Sequence, residues 1–296
     1  MKSCRFRMNQ LSVSKSHKIL KQWHSAIDII TMLHTLCGDL RAHRGASTAL
    51  LGGDLFFQSA SKSYAENIDK QLLKLEKSLQ YDKDNIVVVS SLEDFISIQD
   101  KWQLIQQHLK RHPQLSNFYA HCQLLNDIQT LIWQLAIQAD PSLTGNSHKA
   151  LLSRFILKHH ADTMESIARL RGYACTFCAN GELSDEQSLL LSDEIDEVLN
   201  IWHKRQIAFE TLPLEYYSQV EQLNQQTSLK QYLLDFIELV RPMCRKESEL
   251  PNGSEIFNQA NKALNLCNIQ YVNGIDVLKN ILPPEILEWI RTPVKS

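Results

Sequence analysis

Glycine and proline are scarce in this chain of 296 residues, at nine and eight. So few breakers do not suit a fold of many short strands, and they fall between long stretches with helical spacing. Neither sign of charge dominates: 31 Lys and Arg against 33 Asp and Glu give a formal net charge of -2. That balance excludes the overall basic field expected of a surface devoted to nucleic acid or anionic lipid. No run approaches the roughly 20 apolar residues of a membrane span. The N-terminal MKSCRFRMNQLSVSKSHKIL has positive residues but lacks the continuous apolar stretch of a signal peptide. The seven cysteines are an odd, scattered set, which suits small core side chains in a reducing compartment better than a disulfide framework. A soluble cytoplasmic protein is expected. A nucleophile-base-acid set, a phosphate-cradling glycine loop and a cofactor fingerprint are also missing, so neither enzyme activity nor a cofactor is expected.

The 44% of hydrophobic residues is enough to bury a large core. Their periodicity predicts an all-α protein with helices near 16–52, 56–80, 91–111, 114–139, 146–180, 184–211, 214–243 and 254–282, and a short helix after Pro283-Pro284. About eight long helices with short connections predict two antiparallel four-helix bundles. These form one domain over 15–290 with halves at 15–140 and 144–290, flanked by tails at 1–14 and 291–296. The segment ADPSLTGNSH at 139–148 reads as the linker between halves, SDEQ from Ser184 reads as a capping box, and DNIVVVSS at 84–91 reads as a buried connector.

One feature occurs twice. LRAHRGASTALLGGDL at 40–55 and ARLRGYACTFCANGEL at 168–183 each place an Arg-Gly pair, Arg44-Gly45 and Arg171-Gly172, in a helical stretch. Leu33, Cys37, Leu40, Arg44, Ser47 and Leu51 step by fours and threes, as do Met164, Ala168, Arg171, Cys175 and Cys178, so each arginine falls where a core residue is expected. Leu234, Ile237, Arg241 and Cys244 give a third instance. An unpaired guanidinium costs several kcal/mol, at least about that, to take out of water. Either an internal carboxylate, such as Asp127 or Glu238, or a bound anion must therefore supply a counter-charge.

LHTLCGDLRAHRGAS and ESIARLRGYACTFCANGELSDE resemble the two arginine-glycine motifs of the nitrate- and nitrite-sensing domain of bacterial signalling proteins, and SEIFNQANKALNLCNIQYVNGIDVL is similar to that family's final helix. The resemblance covers about 20–285. It implies paired four-helix bundles, dimerisation, and a nitrate or nitrite ion held between helices by Arg44 and Arg171, with Arg241 as a later contributor resting on spacing. The family often has two adjacent basic residues before the first glycine; here the pair is His43-Arg44, which would weaken or retune the site, and Arg41 is the expected substitute one turn earlier. Ser47 or Thr48 would add a hydroxyl donor, and small residues such as Gly45 and Gly172 would leave room for the ion. Arg169, rotated about 200° from Arg171, is expected to face solvent or a partner chain.

Forked guanidinium donors match a small planar oxyanion. Its arrival would relieve repulsion between arginines and shift the bundle by about an ångström, a common scale for signalling movements. The family's output modules do not fit in PPEILEWIRTPVKS, so a separate output protein is the expected partner. Two other readings stand beside this one. The chain also reads as a ligand-free helical scaffold whose arginines are internally paired, or, from His34-Thr-Leu-Cys-Gly38, as a histidine phosphotransfer protein. Cys175-x-x-Cys178 reads as core packing, and the adjacent pairs His159-His160 and His121-Cys122 diverge on a helix, so no metal site is assigned.

Overall fold

Helix α1, Lys2–Leu51, is the axis against which both halves pack. In the computed structural model, which describes residues 2–81, 92–109, 113–178, 183–213, 216, 226–247 and 249–281, the helix begins at Lys2 and takes in the segment expected to be a tail. From Trp23 onward it is buried on nearly every side, because neighbours from both halves lie on it. Asp28, Thr31, Thr35, Gly38 and Gly45 form its exposed stripe, separated by helical steps. Between them Trp23, Ile27, Ile30, Leu33, Leu36, Cys37 and Leu40 sit in the core, each large apolar side chain contributing about 1.5–3 kcal/mol relative to exposure.

The remaining elements are α2 (Gln58–Tyr81), α3 (Leu92–His108), α4 (Gln114–Ala139), α5 (His148–Arg154), α6 (Ala161–Cys178), α7 (Asp185–Glu210), α8 (Gln226–Cys244) and α9 (Gly253–Asn280). Among the described residues every regular element is helical, and the protein is an all-α bundle assembly. Cross-helix bonds fix the directions. Along α1, Asp39, His43, Ser47 and Thr48 meet Gln71, Ser61, Asn117 and Gln114, so α1 runs antiparallel to both α2 and α4. On its other side Trp23 Nε1 donates to the Leu278 carbonyl at 3.0 Å and His34 meets Asn268, so α1 is antiparallel to α9 as well. Within the second half, α6 packs on α7 and α9, and α8 on α7 and α9.

Local chemistry sets several boundaries. The Ser184 side chain accepts from the Gln187 amide and Gln187 reciprocates at the Ser184 amide, which starts α7 as expected. The linker region is a clamped turn: Pro141–Thr144 forms a 3-10 helix whose cap Asp140 accepts from Ser142 and from Lys149 Nζ at 2.8 Å. Between α5 and α6 the chain widens into a π-helical turn, Phe155–His160, which the periodicity does not reveal. The connector at 84–91, the helix after Pro283-Pro284, most of the stretch 214–225 and the tail at 291–296 lie outside the described residues. No helix among the described residues is long and apolar enough to cross a membrane.

Candidate functional site

Arg44 lies 1% exposed on α1, on the face where the two halves meet. Its Nη1 is 2.5 Å from Oε1 of Glu165, and Arg41 Nε is 2.9 Å from Oε2 of the same carboxylate. Two arginines of the first half are therefore tied to one glutamate of α6 in the second. Burial alone would push the Glu165 carboxyl up, but Arg44 and then Arg41 outweigh it and hold the group below its ordinary range. For Arg44 burial works against the charge, and Glu165 reverses the balance, raising its affinity for the proton. Arg44 Nη1 also donates to Cys122 Sγ at 3.1 Å, and the guanidinium lies 4.9 Å from the centre of the Phe118 ring. Arg44 Nη2 is buried and has no hydrogen-bond partner among the described residues.

Arg171 comes to the same region from α6. Its Nη1 donates to Asn261 Oδ1 on α9 at 2.5 Å, and its guanidinium stacks 5.0 Å from the Phe257 ring centre. Among the described residues no carboxylate forms an ion pair with it. Burial lowers it to about 10, with Arg44 and Arg41 pushing the same way and Cys175 and Glu165 opposing them. Arg41, Arg44 and Arg171 thus share a locality with Arg169, and these four cations face two anions, Glu165 and Glu194.

Arg241 does not join them. The buried seam of α8 runs through Leu229, Leu233, Phe236, Val240 and Met243, while Leu234 is 37% exposed, so the stripe containing Arg241 lies beside the core. Arg241 forms a half-exposed ion pair with Glu238, three residues earlier on its own helix, at 2.9 Å. The spacing expectation fails because this stripe lies at the edge of the helix's one apolar face: Ile237 is buried with the core, while Leu234 and Arg241 turn toward solvent. Arg169 also departs from expectation: it is half-buried and its Nε meets Glu194 of α7 at 2.6 Å. Asp127, a suggested partner for the buried arginines, instead pairs with Lys101.

His43 and Ser47 are both fully buried, and their partners order the seam around Arg44. His121 Nδ1 lies 2.8 Å from the Asn117 carbonyl, which accepts only, so this nitrogen carries the proton. His121 Nε2 then accepts from His43 Nδ1 at 2.8 Å, and His43 Nε2 is left to accept from Ser61 Oγ at 3.4 Å. Asn117 Nδ2 donates to Ser47 Oγ, which donates to the Arg44 carbonyl. Burial lowers His43 to about 4 and His121 to about 3, keeping both neutral at pH 7. Ser47 is thus engaged inside the helix seam; of the two hydroxyls, Thr48 Oγ1 is the buried one without a partner.

The two glycines behave differently. Gly45 is exposed, and a Cβ there would meet nothing within 4 Å, so it does not line the ion's expected space. A Cβ on Gly172 would fall 2.4 Å from Phe118 Cε2, so that glycine lets α6 close on the ring that supports Arg44.

His34 is 8% exposed, stacked 3.8 Å from Tyr271 and 2.9 Å from Asn268 Oδ1, an enclosed setting that gives a phosphoryl donor no approach. Cys175 and Cys178 donate to the Gly253 and Pro251 carbonyls, at the first residue of α9 and just before it. Arg205, outside the predicted set, is 1% exposed; it donates to His160 Nδ1 at 2.9 Å and Gln270 Oε1 at 3.1 Å, beside the π turn. Its stripe, Leu191, Ile195, Val198, Trp202, Arg205, Phe209, has the same fours and threes as the Arg44 stripe, so that signal was available without any glycine. Glu165 and Asn261 have no comparable signature, since their partners lie on distant segments.

The fold and buried arginine cluster define a class: paired helical bundles with cationic groups where the halves join. Among solved structures the chain is similar to the NasR transcription antiterminator, at a TM-score of 0.65 and 15% identity, over 97% of this chain and 77% of that one. No family profile and no curated protein matches the chain. At this identity the likeness establishes the shared fold.

Proposed function

We propose that the protein is a sensor of a small oxyanion, nitrate or nitrite, held by Arg44 and Arg171 with Arg41 beside them, and that it signals by movement of helices to a separate output protein. The carrying observation is the excess of guanidinium groups where the halves meet, Arg41, Arg44, Arg169 and Arg171 against Glu165 and Glu194, with Arg44 Nη2 buried and without a partner among the described residues. A planar anion accepts several hydrogen bonds at once, which suits donors arriving from α1 and α6. Because those helices belong to different halves, a ligand there biases how the halves sit together, provided it binds the two arrangements unequally. The bundle fold shared with a transcription antiterminator supports a regulatory role. The protein acts without enzyme chemistry, cofactor or metal in this reading, and pairs as a homodimer in the cytoplasm.

A second reading has its own support: Arg41 and Arg44 already hold Glu165, as a ligand-free scaffold would require. Thermal unfolding with and without potassium nitrate or sodium nitrite separates the two. Saturation at a hundred times the dissociation constant adds about 2.7 kcal/mol of stability. Arg171→Ala is expected to fold and lose this response. An unchanged melting temperature of the parent chain in both salts, relative to chloride, refutes the sensor and leaves the scaffold.

A further inference from the structure

Glu165 faces two ways. Inward, both carboxylate oxygens are taken by Arg44 and Arg41. Outward, its side chain is 13% exposed and lines a cleft of about 320 Å³ between the halves, with Cys122, Asn126 and Gln129 of α4, Arg169 of α6 and Lys204 of α7. Arg169 stands four residues after Glu165 on the same helix, the spacing at which carboxylate and guanidinium reach one another. Glu165 already strengthens the positive charge of Arg169, after the nearer Glu194.

We propose that Glu165 is the resident counter-ion of the anion site and its moving part: a bound nitrate or nitrite takes its place against Arg44 and Arg41, and the released carboxylate turns into the cleft toward Arg169. This inference rests on the sensor reading above. The donors explain why displacement is needed. Arg44 Nη1 and Arg41 Nε are both occupied by Glu165, so among the described residues an incoming anion finds Arg44 Nη2 and the Thr48 hydroxyl as the buried donors on α1 without a partner. One guanidinium N–H and a neutral hydroxyl grip an oxyanion less well than two charged donors, whereas the pair now holding a carboxylate offers the same two-oxygen match to nitrate. Removing Glu165 into an apolar space would leave a buried charge alone; the cleft avoids that cost because Lys158, Arg169 and Lys204 line it against the carboxylates Asp162 and Glu197. Arg169 also holds Glu194 of α7 at 2.6 Å, so the exchange leaves the charge of the α1–α6 seam unchanged and adds one negative charge at the α6–α7 seam. That transfer gives the ligand a contact that differs between the two states.

Titration calorimetry with potassium nitrate and sodium nitrite on the full chain tests this. Glu165→Gln keeps the side-chain shape and removes the competing charge, so the dissociation constant should fall tenfold or more, equivalent to about 1.4 kcal/mol. A value equal to or weaker than the parent's overturns the inference. Should Glu165→Gln not fold, Arg169→Gln decides, because it leaves Arg44 and Arg41 paired while removing the landing site. Affinity should then weaken threefold or more in a variant that still shows a cooperative thermal transition without anion, and an unchanged affinity overturns the inference. If the parent binds and the variants behave like it, this inference fails alone; if the parent binds neither anion, the sensor reading fails with it.

Discussion

Alanine substitution at the two Arg-Gly glycines should give opposite changes in stability. Both residues lie inside α-helices, so both substitutions gain about 0.5–1 kcal/mol from the reduced freedom of the unfolded chain and the better helix propensity of alanine. At Gly45 nothing opposes that gain, since the new methyl has open space. At Gly172 the methyl would lie 2.4 Å from Phe118 Cε2 and 2.9 Å from Cζ, and the ring is only 1% exposed, confined by Tyr173 at 4.4 Å between ring centres. Overpacking of this kind costs about 1–3 kcal/mol. The propensity gain cancels in the comparison, so Gly172→Ala should be less stable than Gly45→Ala by about 1–3 kcal/mol. Urea unfolding by circular dichroism reads this directly. With a slope of about 2 kcal/mol per molar, the midpoints should differ by roughly 0.5–1.5 M. Phe118→Leu added to Gly172→Ala should recover part of the loss, a coupling expected only of residues in contact. Equal midpoints for the two glycine variants would refute the close approach of α6 to Phe118.

Arg241→Ala should change stability by no more than about 0.5–1 kcal/mol, as for exposed ion pairs, and should leave any nitrate response intact; loss of the response in melting curves would return Arg241 to the site. Acid should weaken the fold through its buried histidines. His34 and His43 are lowered to about 4 and His121 to about 3 by burial first, so the native state keeps them neutral while the unfolded chain protonates near 6.5. Their contribution is fully present above about pH 6.5 and is lost as pH falls toward the folded values, with about 2 kcal/mol lost per histidine by pH 5. His43 and His121 titrate as a coupled pair, so His34→Gln is the cleaner test: its urea midpoint should fall less steeply between pH 7 and 5, and a curve parallel to the parent's would count against neutral burial.

The all-α architecture was legible because helical periodicity is local. Ser184 with Gln187 marked the start of α7, and the sparse glycines and prolines marked most other breaks. Arg44 was legible for the same reason: it stands in line with Leu33, Cys37 and Leu40 on a helix whose faces are nearly all apolar and buried. Arg241 misled because its stripe runs along the edge of the α8 core face, sharing Ile237 with it but leaving Leu234 exposed, and packing against α7 and α9 centres that face on Leu233, Phe236, Val240 and Met243. The roles of the two glycines were not legible either, since the same Arg-Gly pair lies at an exposed edge in α1 and against an aromatic ring in α6.

The sequence by itself determined that long helices form and that fixed positive charge is carried into their buried faces, because both follow from residue spacing within a single helix and from the permanence of the guanidinium charge. Tertiary structure alone decided what meets that charge. Glu165 lies 121 positions from Arg44, and Asn261 lies 90 from Arg171. Whether a carboxylate, an amide or an open donor faces a buried arginine depends on how separate helices are set against one another, and spacing within one helix carries no record of that.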